Sequence, residues 1–195
     1  SVAMAKLVER LGACAVIAEG GESGGHVGDL TTMVLVPEVC DAVKIPVLAA
    51  GGIGDGRGIA ASFMLGACGV QVGTRFLVAT ECGVHQNYKN RILKANDIST
   101  IVTGKRLGHP VRSIKTPFSR KYAKAEYSSI SDEDLEQLAV GALRLAAKEG
   151  DEENGCFLAG QIVGLVNKEQ TAGEIVDEIV KDTERVLKEA QKWER

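Results

Sequence analysis

The sequence has no run of basic residues, no close pairing among its cysteines and no apolar stretch of membrane length. Its 23 Lys and Arg are interspersed with 26 Asp and Glu, for a formal net charge of −3. No track of cations exists to neutralise a line of phosphates, so a nucleic-acid partner is not expected. The five cysteines, Cys14, Cys40, Cys68, Cys82 and Cys156, are odd in number and widely scattered. They lack the short spacings of tetrahedral zinc sites and read as reduced thiols of a cytoplasmic protein, with no metal centre. The longest apolar stretches, such as Ala13–Ala18 and Val47–Ala50, fall far below the roughly 20 residues a membrane span needs. No charged-then-apolar signal segment opens the chain, and no membrane association is expected. A GxGxxG fingerprint is absent, and nothing marks a serine as the nucleophile of a strand-to-helix elbow.

What remains is a chain of 195 residues, 45% hydrophobic and 25% charged, with the composition of a globular protein large enough to bury a core. Val2 to Leu11 carries apolar residues at helical spacing and stops at Gly12. Three short apolar runs follow: Ala13–Ala18 before Glu19-Gly20-Gly21, Pro46–Ala50 before Gly51-Gly52, and Gly69–Val72 before Gly73-Thr74. Runs apolar throughout suit parallel strands covered on both faces. Helical segments lie between them, at about Pro37–Val43, with the proline in the first turn, and at Gly56–Leu65. This βαβαβ alternation predicts parallel strands with right-handed crossovers.

The fold class expected is therefore α/β: the C-terminal part of a TIM-type (β/α)8 barrel with about three parallel strands, plus a small, mainly helical accessory domain. Residues 1–81 form the barrel part. Residues 82–150 form the accessory domain, with an amphipathic stretch over Glu133–Lys148 opened by a capping box at Ser131–Asp134. Residues 151–195 return through the Gly-bearing segment 155–164 and end in a helix after a second capping box, Thr171–Glu174. The stripe of that helix includes Ile175, Ile179, Val186 and Leu187. Three parallel strands cannot close a barrel, so an N-terminal half upstream of this chain is expected.

Glycine clusters follow all three strands, at the strand ends where α/β proteins build their sites. Ala49-Ala50-Gly51-Gly52 and Gln71-Val72-Gly73-Thr74 present backbone N–H groups that can cradle a phosphate, with the Thr74 hydroxyl as a further donor. The alternative is that these glycines only permit tight turns. Glu19-Gly20-Gly21-Glu22-Ser23-Gly24-Gly25-His26 holds four glycines in seven residues and then a histidine. Such a backbone can lie against a flat ligand, and an imidazole suits proton transfer near neutral pH; the alternatives are a surface histidine and solvated loop carboxylates at Glu19 and Glu22. His85 and His109 have no metal-ligand spacing and read as structural or surface residues.

The run IAEGGESGGHVGDLTTMVLV resembles the segment of the enoyl-acyl-carrier-protein reductase II family, relatives of the nitronate monooxygenases, that carries the active-site histidine. The likeness continues through PVLAAGGIGDGRGIAASFMLGACGVQVGTRF, HQNYKNRILKA and LAGQIVGLVNKEQTAGEI, in order over the chain. The resemblance implies FMN as cofactor, NADH or NADPH as electron donor, a trans-2-enoyl group on acyl carrier protein as substrate, and a homodimer. By position, His26 is the catalytic histidine, assisting protonation. Gly24 and Gly25, with Glu19 and Ser23, approach the flavin. Ala50, Gly51 and Gly52, with Gln71, Val72, Gly73 and Thr74, hold the ribityl phosphate, and Leu158, Ala159, Gly160 and Gln161 close over the flavin. Nitronate monooxygenase is the alternative activity.

Overall fold

The computed structural model describes residues 1–193. In chain order its elements are α1 (Val2–Arg10), β1 (Val16–Glu19), β2 (Gly25–His26), α2 (Thr32–Ala42), β3 (Val47–Ala50), α3 (Gly56–Met64) and β4 (Gly69–Gln71). There follow α4 (Gln86–Leu93), β5 (Thr100–Thr103), β6 (Val111–Ile114), α5 (Pro117–Glu126), α6 (Asp132–Ala139), α7 (Ala142–Arg144) and α8 (Ala172–Ala190). They sort into two compact units. The first comprises Ser1–Glu22, Gly28–Val72 and the chain from Thr171 on; the second comprises Ser23–Val27 and Gly73–Gln170.

The first unit is the βαβαβ repeat. Its sheet has the order β1-β3-β4, parallel throughout, with Glu19 level with Ala50 and Ala50 level with Gln71. The glycines after β1 and β3 therefore leave the sheet at the same end, the C-terminal ends of its strands. A closed barrel is not formed by these three strands. Ala18, Val36, Val39, Val47, Ala49 and Ile59 pack into one core, because strands apolar on both faces take α2 and α3 against them. On the free side of β1 no strand pairs among the described residues. There a cleft of about 510 Å³ is lined by Met4, Val8, Ala15, Ile17, Leu35 and Val39, and Ile17 is 51% exposed.

Helix ends in this unit follow local chemistry. The capping box at Thr171 forms in full, Glu174 Oε2 accepting the Thr171 N–H at 2.8 Å and Thr171 Oγ1 accepting the Glu174 N–H at 3.2 Å. α2 departs from the sequence reading: it starts at Thr32, so Pro37 lies inside it and not in its first turn. Its start is set from a distance, by the Glu22 carboxylate accepting the Thr32 N–H at 3.0 and 3.1 Å. Asp55 caps α3, accepting the Arg57 N–H at 3.0 Å and pairing with the Arg57 side chain. Burial raises the Asp55 carboxyl, but the Arg57 guanidinium and the amide donors outweigh it and hold the group below its ordinary 3.8. A depressed folded-state value means stability present above the unfolded value and lost as pH falls through the folded one. Asp55→Ala is thus expected to cost about 1 kcal/mol at neutral pH, a deficit that fades in acid. Urea unfolding of both proteins at neutral and acidic pH measures it.

The second unit contains an antiparallel sheet of order β2-β6-β5. The sequence predicts a mainly helical domain over residues 82–150 and places no strand there, yet Thr100-Ile-Val-Thr103 and Val111-Arg-Ser-Ile114 form a hairpin. Both runs are short and β-branched, and glycines at positive φ, Gly104 and Gly108, lie in the connection. The expected long helix over Glu133–Lys148 is also broken: α6 starts at the predicted Ser131 cap, but Gly141 takes φ of 77° and separates it from α7 and a π turn over Leu145–Glu149. Val78, Tyr88, Ile92, Ile114, Phe157 and Val163 make the core. The Tyr88 hydroxyl donates to Leu158 O at 2.6 Å, and burial pushes its phenol upward. Among the described residues, no helix is long and apolar enough to cross a membrane.

Candidate active site

In the first unit the sequence-nominated residues sit on the level strand ends. Glu19 is exposed and Ala50 buried; Gln71 is exposed and Val72 half-buried. Gly51 has φ of 87°, and a Cβ on it would lie 2.6 Å from Gly20 O. The two glycine turns thus touch backbone to backbone, which only glycine permits. Glu22, left open between loop charge and site residue, is committed to structure. Besides capping α2, it accepts the Thr32 hydroxyl at 2.9 Å, and that hydroxyl also lies 2.9 Å from Gly51 O. This knot fixes the Gly51-Gly52 turn from the start of α2.

In the second unit Ser23, Gly24, Gly25 and His26 form the short strand β2 and its approach. Gly24 lies against the returning segment so closely that a Cβ would come within 2.5 Å of the Ala159 carbonyl carbon and 2.6 Å of Gly160 N. Gly160 N–H in turn donates to Thr74 Oγ1 at 2.9 Å. Thr74 is therefore bound as an acceptor and keeps its own hydroxyl proton to donate. Ser23 Oγ is buried without a hydrogen-bond partner. A Cβ on Gly73 would meet nothing within 4 Å, and one on Gly25 only the tip of Leu158. Gln161 is exposed, and Leu158 pairs as an isolated bridge with Ser113.

His26 faces Val111 across β2 and β6 and lines a cavity of about 410 Å³. The walls are mostly apolar, from Leu107, Val111, Phe118, Leu143 and Leu158. Tyr122, Cys156, Glu136 and His109 also reach it. Burial pushes both the Tyr122 phenol and the Cys156 thiol up, so both stay protonated at neutral pH. A histidine lining an apolar chamber of this size is the arrangement expected where a proton is given to an apolar substrate. Sequence reading missed the chamber because its walls come from β5, β6, α5 and α6, joined only by long-range packing. His109, read from sequence as structural or surface, is one of its lining residues. His85 is a cap: its Nδ1 accepts the Asn87 N–H at 3.1 Å at the start of α4.

A family model described as nitronate monooxygenase matches residues 1–182. The chain belongs to this family. Among solved structures, FabK from Thermotoga maritima, an enoyl-acyl-carrier-protein reductase II, superposes with a TM-score of 0.96 at 48% identity, covering 99% of this chain and 61% of its own. A probable nitronate monooxygenase from Staphylococcus saprophyticus subsp. saprophyticus is 37% identical over 191 residues, covering 92% of this chain and 53% of its own length. A 5-hydroxy-7a-methyl-1-oxo-octahydro-indene-4-carboxyl-CoA dehydrogenase from Rhodococcus jostii is 35% identical, covering 91% of this chain and 61% of its own length. The chain thus spans between half and two thirds of these relatives and matches their C-terminal part. Their names describe oxidoreductases, and within the nitronate monooxygenase family the present chain shares their α/β fold of parallel strands and helices.

Proposed function

We propose that the chain is the C-terminal part of an FMN-dependent reductase of trans-2-enoyl thioesters carried on acyl carrier protein, working with an upstream segment of the kind its relatives possess. The observation that carries this reading is His26 on the lining of a mostly apolar cavity of about 410 Å³, room for an alkyl chain. The 48% identity to FabK supports the same reading.

The residues present suit a phosphate-bearing flavin. In the first unit the Gly51-Gly52 turn offers backbone N–H groups at a strand end, with Ala50, Gln71 and Val72 beside it in sequence or register. In the second, Ser23 has an orphaned hydroxyl, Thr74 a free hydroxyl proton and Gly73 an open face. FMN held there would provide the redox chemistry, relaying hydride from NADH or NADPH to the substrate β-carbon. His26 then gives a proton at the α-carbon and recovers one from solvent. The apolar walls exclude water around the developing charge, which strengthens each hydrogen bond made to it.

Oxidation of alkyl nitronates is the second reading, favoured by the family description and the curated names. Nitronates are small and polar, and they leave the apolar chamber without a purpose. The holoenzyme, given crotonyl thioester and NADH or NADPH, is expected to consume the nucleotide in step with the thioester. Nitronate oxidation by oxygen with no thioester-dependent consumption overturns the proposal. Leu143, 47% exposed on the chamber wall, gives a further test. Leu143→Trp is expected to lower kcat/KM for a long-chain enoyl thioester by about 10-fold or more relative to crotonyl, as a competition assay reports.

A further inference from the structure

His109 and His26 line the same cavity although the two are far apart in sequence. His26 pairs with Val111, and the ladder runs on one step, Val27 N–H donating to Pro110 O at 3.0 Å. Pro110 has no N–H to return the bond. His109 comes one residue before Pro110, in the turn that leads into β6, and so enters the ladder two positions ahead of the Val111 that His26 pairs with. Both residues line the one cavity of about 410 Å³. His109 is also held in place: its N–H donates to Gly104 O at 3.0 Å, in a turn so tight that a Cβ on Gly104 would come 2.5 Å from His109 O.

Reduction of an enoyl thioester puts two demands on a site. As hydride forms the new C–H bond at the β-carbon, the π pair moves toward the α-carbon and the thioester oxygen, giving an enolate. A proton must reach the α-carbon, and a donor must meet the charge on the oxygen. One imidazole cannot serve both atoms at once.

Resting on the enoyl thioester reading, we propose that His109 is a second catalytic residue, its imidazole N–H hydrogen-bonding the thioester oxygen while His26 protonates the α-carbon. The His26 N–H bond breaks as the α-carbon C–H bond forms, and the enolate collapses to the carbonyl. NADH or NADPH is oxidised through the flavin, and solvent reprotonates His26. His109 keeps its proton throughout, acting as a fixed donor of the oxyanion-hole kind.

The test uses the holoenzyme with the crotonyl thioester of N-acetylcysteamine. Two steps are followed separately: bleaching of the flavin by NADH or NADPH without thioester, and single-turnover reoxidation of the reduced enzyme by thioester. His109→Leu is expected to slow reoxidation by about 10²–10³-fold, in kcat more than in KM, and to leave bleaching at the wild-type rate. His109→Gln keeps an N–H donor and is expected to recover most of the loss. A wild-type reoxidation rate in His109→Leu overturns the inference. So do equal losses in the leucine and glutamine variants, or a matching loss in bleaching, since each of these marks a structural role. Failure of the wild-type enzyme itself to be reoxidised by thioester is a different result and removes the functional reading along with the inference.

Discussion

Replacing His26 with alanine is expected to slow enoyl thioester reduction by about 10²–10⁴-fold, the usual worth of a positioned general acid, while flavin stays bound. The retention follows from geometry. His26 is an exposed residue on a two-residue strand whose main chain is held by pairing with Arg112 and Val111, so truncating the side chain removes a proton donor and little packing. Stopped-flow reoxidation of reduced enzyme by crotonyl thioester measures the loss, and visible absorbance reports the flavin. If turnover is unchanged, His26 has no part in the chemistry. If flavin and activity vanish together, its part is in binding.

The second large effect is expected at Gly24, where one methyl group is enough. A Cβ there would lie 2.5–2.6 Å from three backbone atoms of Ala159 and Gly160, and backbone cannot step aside as a flexible side chain can. Gly24→Ala therefore displaces either β2 or the returning segment. Overpacking of this kind costs about 1–3 kcal/mol in stability. Misplacing His26 by about 1 Å costs on the order of 10²-fold in rate. Removing the Ala159 side chain in the same protein should rescue neither, because the clash is with main chain. Thermal melting and single-turnover kinetics of the single and double variants decide it: an unperturbed Gly24→Ala enzyme, or rescue by Ala159→Gly, refutes the steric account.

The first unit was legible in the sequence because its signals are local. Ala13–Ala18, Pro46–Ala50 and Gly69–Val72 are apolar runs punctuated by glycine, and Thr171-Ala-Gly-Glu174 writes its own capping box. Where α2 begins was not legible: its cap is Glu22, ten residues upstream, brought in by the fold. The second unit hid its sheet for a related reason. β2 is two residues long, and its partner β6 lies far along the chain, so no period could reveal the pairing. His26 is nominated by the glycines before it. His109 is not, since its only signal is the pairing that places it.

The unpaired side of β1 bears on how this chain behaves when handled. A strand edge with open N–H and C=O groups, bordered by the apolar cleft at Met4, Val8 and Ile17, is a template on which another strand can add. In a concentrated preparation of these residues alone, association is expected to involve β1, an outer strand of its sheet among the described residues. Blunting that edge with a lysine at Ile17, whose side chain already meets solvent, is the change that should keep them apart.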